Sequence, residues 1–315
     1  MKINYDGLNI LLKLLSQESF DEELYNEFVN TNDFKDFIEH ENNLGRKTTK
    51  ESVKENLIQT INGIVKSENV YGFDYVFKYR NEINKKINEL EFSNQKFHEL
   101  ILNRLSRYVD LDLFNNNFSI NLYGGGFDYG FSEKENICYV NIALLADKLE
   151  FLDDIVAHEY YHSRIRSLSI ADYDFSKENY FKTLLYHILE EGIATLIQFE
   201  YEKKYDGFAF IDKDRFDNID TYMKNLDLCI RECELNNNYT KEVVLEYFQD
   251  SIPNYIVGYK IGQIIFKYKG KDGLKIWNRD CDYLNTLKSY INICRNEGIN
   301  SGFSNVVEDY ILNLI

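Results

Sequence analysis

The chain has 315 residues, with 36 Lys and Arg against 52 Asp and Glu and a formal net charge of −16. That charge has no basic stripe to offset it, so nucleic acid and anionic membrane surfaces are excluded as expected partners. Hydrophobic residues at 44% and charged residues at 28% are ordinary for a globular chain, and a single proline excludes proline-rich linkers.

The length allows a large core, expected in two packed lobes. The 25 Tyr and 22 Phe against one Trp read as compositional bias rather than a binding signal. Five cysteines (Cys138, Cys229, Cys233, Cys281 and Cys294) are odd in number and show no framework spacing. Cys229 and Cys233 are helix neighbours without a second pair to complete a zinc site, so reduced thiols and a cytoplasmic location are expected. Lys13 and Asp6 punctuate the first apolar residues, and no small-residue cleavage site follows, so no signal peptide is expected. No stretch approaches the roughly 18 uninterrupted apolar residues of a membrane span.

In chain order, apolar residues recur at helical spacing over 8–15, 22–29, 34–41, 51–65, 72–92 and 95–109. Residues 1–110 are therefore expected as a helical N-terminal lobe. His40 and His98 lie there among acidic and polar neighbours and are expected at the surface. Alternation then marks strands over 118–123 and 137–142. Between them runs Gly124-Gly125-Gly126-Phe127-Asp128-Tyr129-Gly130. It lacks the ending of a phosphate loop and is expected to make a turn or a flexible rim, either as an ordinary hairpin or beside an edge strand able to pair with an extended peptide.

Residues 150–168 continue with helical spacing and no Gly or Pro. They contain Ala157-His158-Glu159-Tyr160-Tyr161-His162. On a helix, His158 and His162 share one face four residues apart and can hold one zinc ion. Glu159, rotated about 100° around the helix, can reach a metal-bound water as general base. A loop around 171–175 leads into a helical pattern over 176–205. It carries Leu189-Glu190-Glu191-Gly192-Ile193-Ala194-Thr195, where glutamates and small residues interrupt an apolar helix. Gly192 and Ala194 would permit close helix approach. Glycine inside a helix costs about 1 kcal/mol relative to alanine, so a packing or site reason is expected.

A zinc hydrolase needs a third protein ligand, for which Glu191 is the choice, with Glu190 and His187 as rivals. A charged loop is expected over 207–220, a helix start near Pro253, a turn over 270–273, and short helices over 274–279, 283–294 and 306–315. Tyr255 and Tyr259, beside that helix start, are candidates to donate to the oxyanion of a tetrahedral intermediate.

His158-Glu159-Tyr160-Tyr161-His162 with the downstream Glu191-Gly192-Ile193-Ala194-Thr195 resembles the gluzincin metallopeptidases, and more narrowly bacterial groups described as predicted zinc-dependent peptidases. Tyr255–Tyr259 resembles their Tyr-x-x-Gly-Tyr segment. The resemblance covers roughly residues 117–265. It implies an α+β, mostly α fold with a helical N-terminal lobe over 1–110. The catalytic region over 111–315 would hold a small sheet with an edge strand, the two metal-bearing helices and a helical C-terminal part. It further implies one zinc per chain on His158, His162 and Glu191, Glu159 as base, and a peptide or unfolded-protein substrate. Two features depart from the pattern. Thr195 stands where some gluzincins have an acid that orients a histidine, and no Gly-x-Met-Glu-Asn motif is present. The metzincin third histidine is absent too. Two other functions compete: an inactive peptidase-like binding protein, and a carboxylate-bridged di-iron protein, because Glu159-x-x-His162 and the reversed His187-x-x-Glu190 also occur.

Overall fold

The structure is a computed structural model. It describes residues 2–64, 71–114, 118–134, 137–164, 174–200, 213–247 and 252–315. The fold is α+β and mostly α. Two compact units divide the chain, one of residues 1–102 with 114–163, the other of 103–113 with 164–315. Among the described residues no helix is long and apolar enough to cross a membrane.

The first unit opens with a short strand β1 (Lys2–Asn4). Helices α1 (Asp6–Leu15), α2 (Glu22–Asn30), α3 (Asn32–Asn43), α4 (Lys50–Ile61) and α5 (Phe73–Lys78) follow. A long helix α6 (Arg80–Ser106), whose last residues belong to the second unit, is kinked at Ser93. The starts of α2 to α4 are written locally. Asp21 accepts from the Glu23 and Leu24 amides, Thr31 from that of Phe34, and Thr49 and Ser52 cap each other reciprocally. Leu8, Leu11, Leu14 and Leu15 of α1 are buried, as their spacing predicts.

The sheet holds strands β2 (Ser119–Tyr123), β3 (Gly130–Lys134) and β4 (Ile137–Asn141) beside β1, in the order β1-β2-β4-β3. β1 and β4 both run parallel to β2, and β3 runs antiparallel to β4 at the edge. The hairpin reading of the glycine run is therefore corrected. The two strands it separates in sequence are parallel neighbours, which no tight turn can join. The run leads instead into β3, which returns antiparallel along the far side of β4.

Nor is the run a loose rim. Gly124, Gly125 and Gly126 are buried. The fully buried Asn141 side chain accepts from the amides of Gly125 and Ala143 and donates to the carbonyls of Gly126 and Asp128. Gly125 and Gly126 have φ of 132° and 98°, which L side chains rarely adopt. Helix α7 (Ile142–Leu145) and a 3₁₀ turn over Leu149–Phe151 lead to α8 (Leu152–His162), which packs on β3 and β4.

The second unit contains α9 (Tyr180–Phe199), α10 (Lys213–Asp217), α11 (Ile219–Ile230), α12 (Lys241–Tyr247), α13 (Ile252–Asp280), α14 (Tyr283–Glu297) and α15 (Asn305–Asn313). The loop expected over 207–220 is helical in its described part from Lys213 onward; Lys213-Asp214-Arg215 carries no apolar repeat to signal it. Residues 207–212 lie outside the described residues, as do 165–168, 171–173 and 201–205 of the segments expected above. The turn expected at 270–273 is a break inside α13, where Gly270 has φ of 61°.

Helices α9 and α13 cross in backbone contact. A Cβ on Gly192 would lie 2.1 Å from Gly258 Cα, and one on Gly258 would lie 1.8 Å from the Ile188 carbonyl oxygen. No rotamer relieves a clash with backbone, so two glycines are required here. Gly258→Ala should destabilise the protein by about 3 kcal/mol or more, the upper end of overpacking costs. Gly298→Ala should cost only about 1–2 kcal/mol, since that helix-end glycine has φ of 66° but open space around it. Comparing urea midpoints of the two variants checks the difference.

Candidate metal centre

Helix α8 is buried around nearly its whole girth; Asp153 and His162 alone are partly open. Leu152, Ile155, Val156, Ala157, Tyr160 and Tyr161 supply the apolar contacts. Full burial of such side chains stabilises by about 1.5–3 kcal/mol for each large one. Tyr160 stacks on Phe118 at 3.5 Å between centroids and meets Phe114 edge-on at 5.1 Å. Burial pushes its hydroxyl up to about 12.

Into this apolar setting the sequence places two imidazoles and a carboxylate. His158 and Glu159 are each 7% exposed. The rings of His158 and His162 lie 4.9 Å apart, inclined at 69°. That is the one-face arrangement which the four-residue spacing predicts. Two neighbouring imidazoles on one helix face are nitrogen ligands of the kind zinc takes.

Glu159 has a definite seat. A Cβ on Gly130, the first residue of β3, would lie 2.6 Å from Glu159 Cγ and 2.8 Å from Cδ. The bare backbone of the edge strand is thus what leaves room for the carboxylate. Its charge is felt nearby: burial first, and then Glu159, push the Cys138 thiol well above its usual range. Gly130 was missed in the sequence because its value lies in a contact with a residue 29 positions away.

In the second unit, α9 is equally buried. After its first turn, where Phe181 and Lys182 are open in part or fully, His187 and Glu191 are its residues left partly open. They stand four apart on one stripe, with His187 Nε2 3.8 Å from Glu191 Oε1. On its other side, His187 Nδ1 lies 3.5 Å from the amide nitrogen of Asn254, on the first turn of α13. Glu190 points elsewhere. It is 2% exposed and takes a two-pronged hydrogen bond from Arg164, Nη1 and Nη2 each 2.5 Å from a carboxylate oxygen. Thr195 Oγ1 donates to the Glu191 carbonyl one turn back at 2.7 Å, so its hydroxyl serves the helix.

Tyr255 and Tyr259 both lie on α13, one turn apart. Tyr255 is half-buried and Tyr259 buried. The Tyr259 hydroxyl accepts from Gln263 at 3.2 Å, and its ring meets Phe216 edge-on at 5.1 Å.

A model of the family described as "Putative zinc dependent peptidase (DUF5700)" matches residues 25–298. The chain belongs to that family. The match takes in α8, α9 and the first turns of α13, so every candidate residue above lies within it. No curated protein and no solved structure matches the chain.

A second cluster in this family member corrects an expectation. His40, expected at the surface, is 3% exposed. Its Nε2 lies 3.0 Å from Asp128 Oδ2, and its ring stacks on Phe131 at 4.0 Å and 6°. Both partners are about 90 residues away in the chain, which is why the acidic sequence neighbours misled. His98 is half-buried. His40, Glu41 and Asp128 come close enough to hold a cation, but Arg46 already spans them. Its Nη1 lies 2.7 Å from Glu41 and its Nη2 3.0 Å from Asp128. Burial raises the Asp128 carboxyl, but the hydrogen bonds from His40 and Arg46 outweigh that and hold it below the usual range. The guanidinium is the cation of this cluster.

Proposed function

We propose that the protein is a zinc-dependent peptidase of gluzincin type. His158, His162 and Glu191 would hold one zinc per chain, and Glu159 would act as general base. The observation that carries this reading is the seat of Glu159. Buried titratable groups cluster at functional sites, and this acid is 7% exposed and set against a glycine of the edge strand, between two histidines in sequence. The choice of Glu191 is supported by α9, where Glu190 is taken by Arg164 while Glu191 lies on the open stripe. The di-iron alternative would need Glu190, so that ion pair weighs against it.

When bound, zinc supplies Lewis acidity, lowering the pKa of water and polarising a carbonyl. Glu159 takes the proton as water oxygen adds to the peptide carbonyl carbon, and delivers it to the amide nitrogen as the C–N bond breaks. Tyr255 is the hydroxyl proposed to donate to the developing oxyanion, with Tyr259 as second candidate. Among the described residues β3 is an edge strand, and its outer side beside Glu159 suits an extended peptide or unfolded segment as substrate, held by main-chain hydrogen bonds. Five free cysteines, four of them buried, support a reducing, cytoplasmic setting. The acidic surface speaks for neither nucleic acid nor membranes as partners.

Elemental analysis of untagged protein tests the reading. One zinc per chain is expected, falling below about a tenth in His162→Ala, because two protein ligands do not make a closed site. Absence of zinc after incubation with the metal would overturn the proposal.

A further inference from the structure

The first unit contains a feature that the peptidase reading does not use. Successive residues of a strand face opposite sides of the sheet. On β3, Gly130 faces α8 and seats Glu159. The next residue, Phe131, faces the other way and stacks on the His40 ring at 4.0 Å. Phe131 also stacks on Tyr139 at 4.4 Å and 9°, and Tyr123 meets it edge-on at 5.6 Å. Two residues before Gly130, Asp128 is bound through the same His40 ring. His40 therefore touches the chain on both sides of Gly130, from the face of the sheet opposite to Glu159.

The contacts of Asp128 make this a rigid grip. A carboxylate only accepts, so His40 Nε2 is the donor in that bond. Arg46 holds the same carboxylate, and Asn141 holds the Asp128 backbone carbonyl. The ring of His40 meets Asp128 at its edge and Phe131 across its face.

We propose that His40, on α3, is a positioning residue for Glu159, acting through β3 by fixing Gly130 against the carboxylate. The helices that precede the sheet are then a working part of the site. This inference rests on the peptidase reading for its effect on catalysis, but not for its effect on the strand.

The test uses two variants. His40→Phe keeps the ring stack and most of the volume but removes the bond to Asp128; His40→Gln restores an N–H donor. In His40→Phe, amide hydrogen exchange of a peptide covering residues 130–134 should quicken at least about tenfold, since that edge is less constrained. On a peptide substrate kcat should fall about 10- to 100-fold, with KM within about twofold and zinc unchanged, as expected for a misplaced base. His40→Gln should recover at least about a third of the lost exchange protection and activity. Wild-type exchange rates in His40→Phe would overturn the proposal. So would loss of zinc, melting temperature and activity together in both variants. If the wild-type protein cleaves no peptide, the peptidase reading fails, and the exchange measurement still decides the role of His40.

Discussion

Glu159→Gln should lower kcat for peptide hydrolysis by about 10²- to 10⁴-fold, the usual contribution of a positioned general base. That corresponds to about 3–5 kcal/mol of lost transition-state stabilisation. Zinc content should be unchanged, because the two histidines keep their place on α8 and the amide is nearly isosteric with the acid. The seat against Gly130, where even a Cβ would come within 2.6 Å of the side chain, is already filled by a group of the same size. Stability should not fall, since a neutral amide is cheaper to bury than a carboxylate. Kinetics on a cleaved peptide, paired with elemental analysis and a melting curve, measure all three. Retained activity in the variant would remove Glu159 from its assigned role, whatever the metal content.

Arg164→Ala should destabilise the protein by about 3–5 kcal/mol, because it leaves the Glu190 carboxylate buried without its counter-charge. The side chains of the pair are 0% and 2% exposed, so water cannot take over the guanidinium's role. Replacing both partners, as Arg164→Met with Glu190→Leu, should return most of that loss, since an apolar pair of similar volume is often no less stable than a buried ion pair. The exposed pair Lys54–Glu22 provides the contrast: its side chains are 34% and 60% exposed, and Lys54→Ala should cost less than about 1 kcal/mol. Urea midpoints of the variants resolve the difference.

The helix that carries His158 and His162 was legible because its information is local. A four-residue spacing of His158 and His162 within an apolar helical pattern dictates one face, and α8 shows it. The same is true of the presence of α1 to α4, which helical spacing announces, though α4 ends at Ile61, short of the limit that spacing suggests, and of the strands β2 and β4. The close approach foreseen at Gly192 was half legible: an interrupted helix signalled a crossing, and the sequence could not name Gly258 as the partner.

What the tertiary structure decided were pairings across long stretches of chain. Glu190 and Glu191 are adjacent and alike in sequence; Arg164, 26 residues earlier, separates them by taking one. His40 looked like a surface residue until Asp128 and Phe131, about 90 residues on, enclosed it. Gly130 was one glycine of a run until it met Glu159, and β3 as an edge strand depended on β4 inserting beside β2. Residue type and spacing determine which groups a helix or strand can present. Which of them are buried, neutralised or left open depends on non-local packing, where a single ångström of backbone approach or one buried counter-charge is worth several kcal/mol.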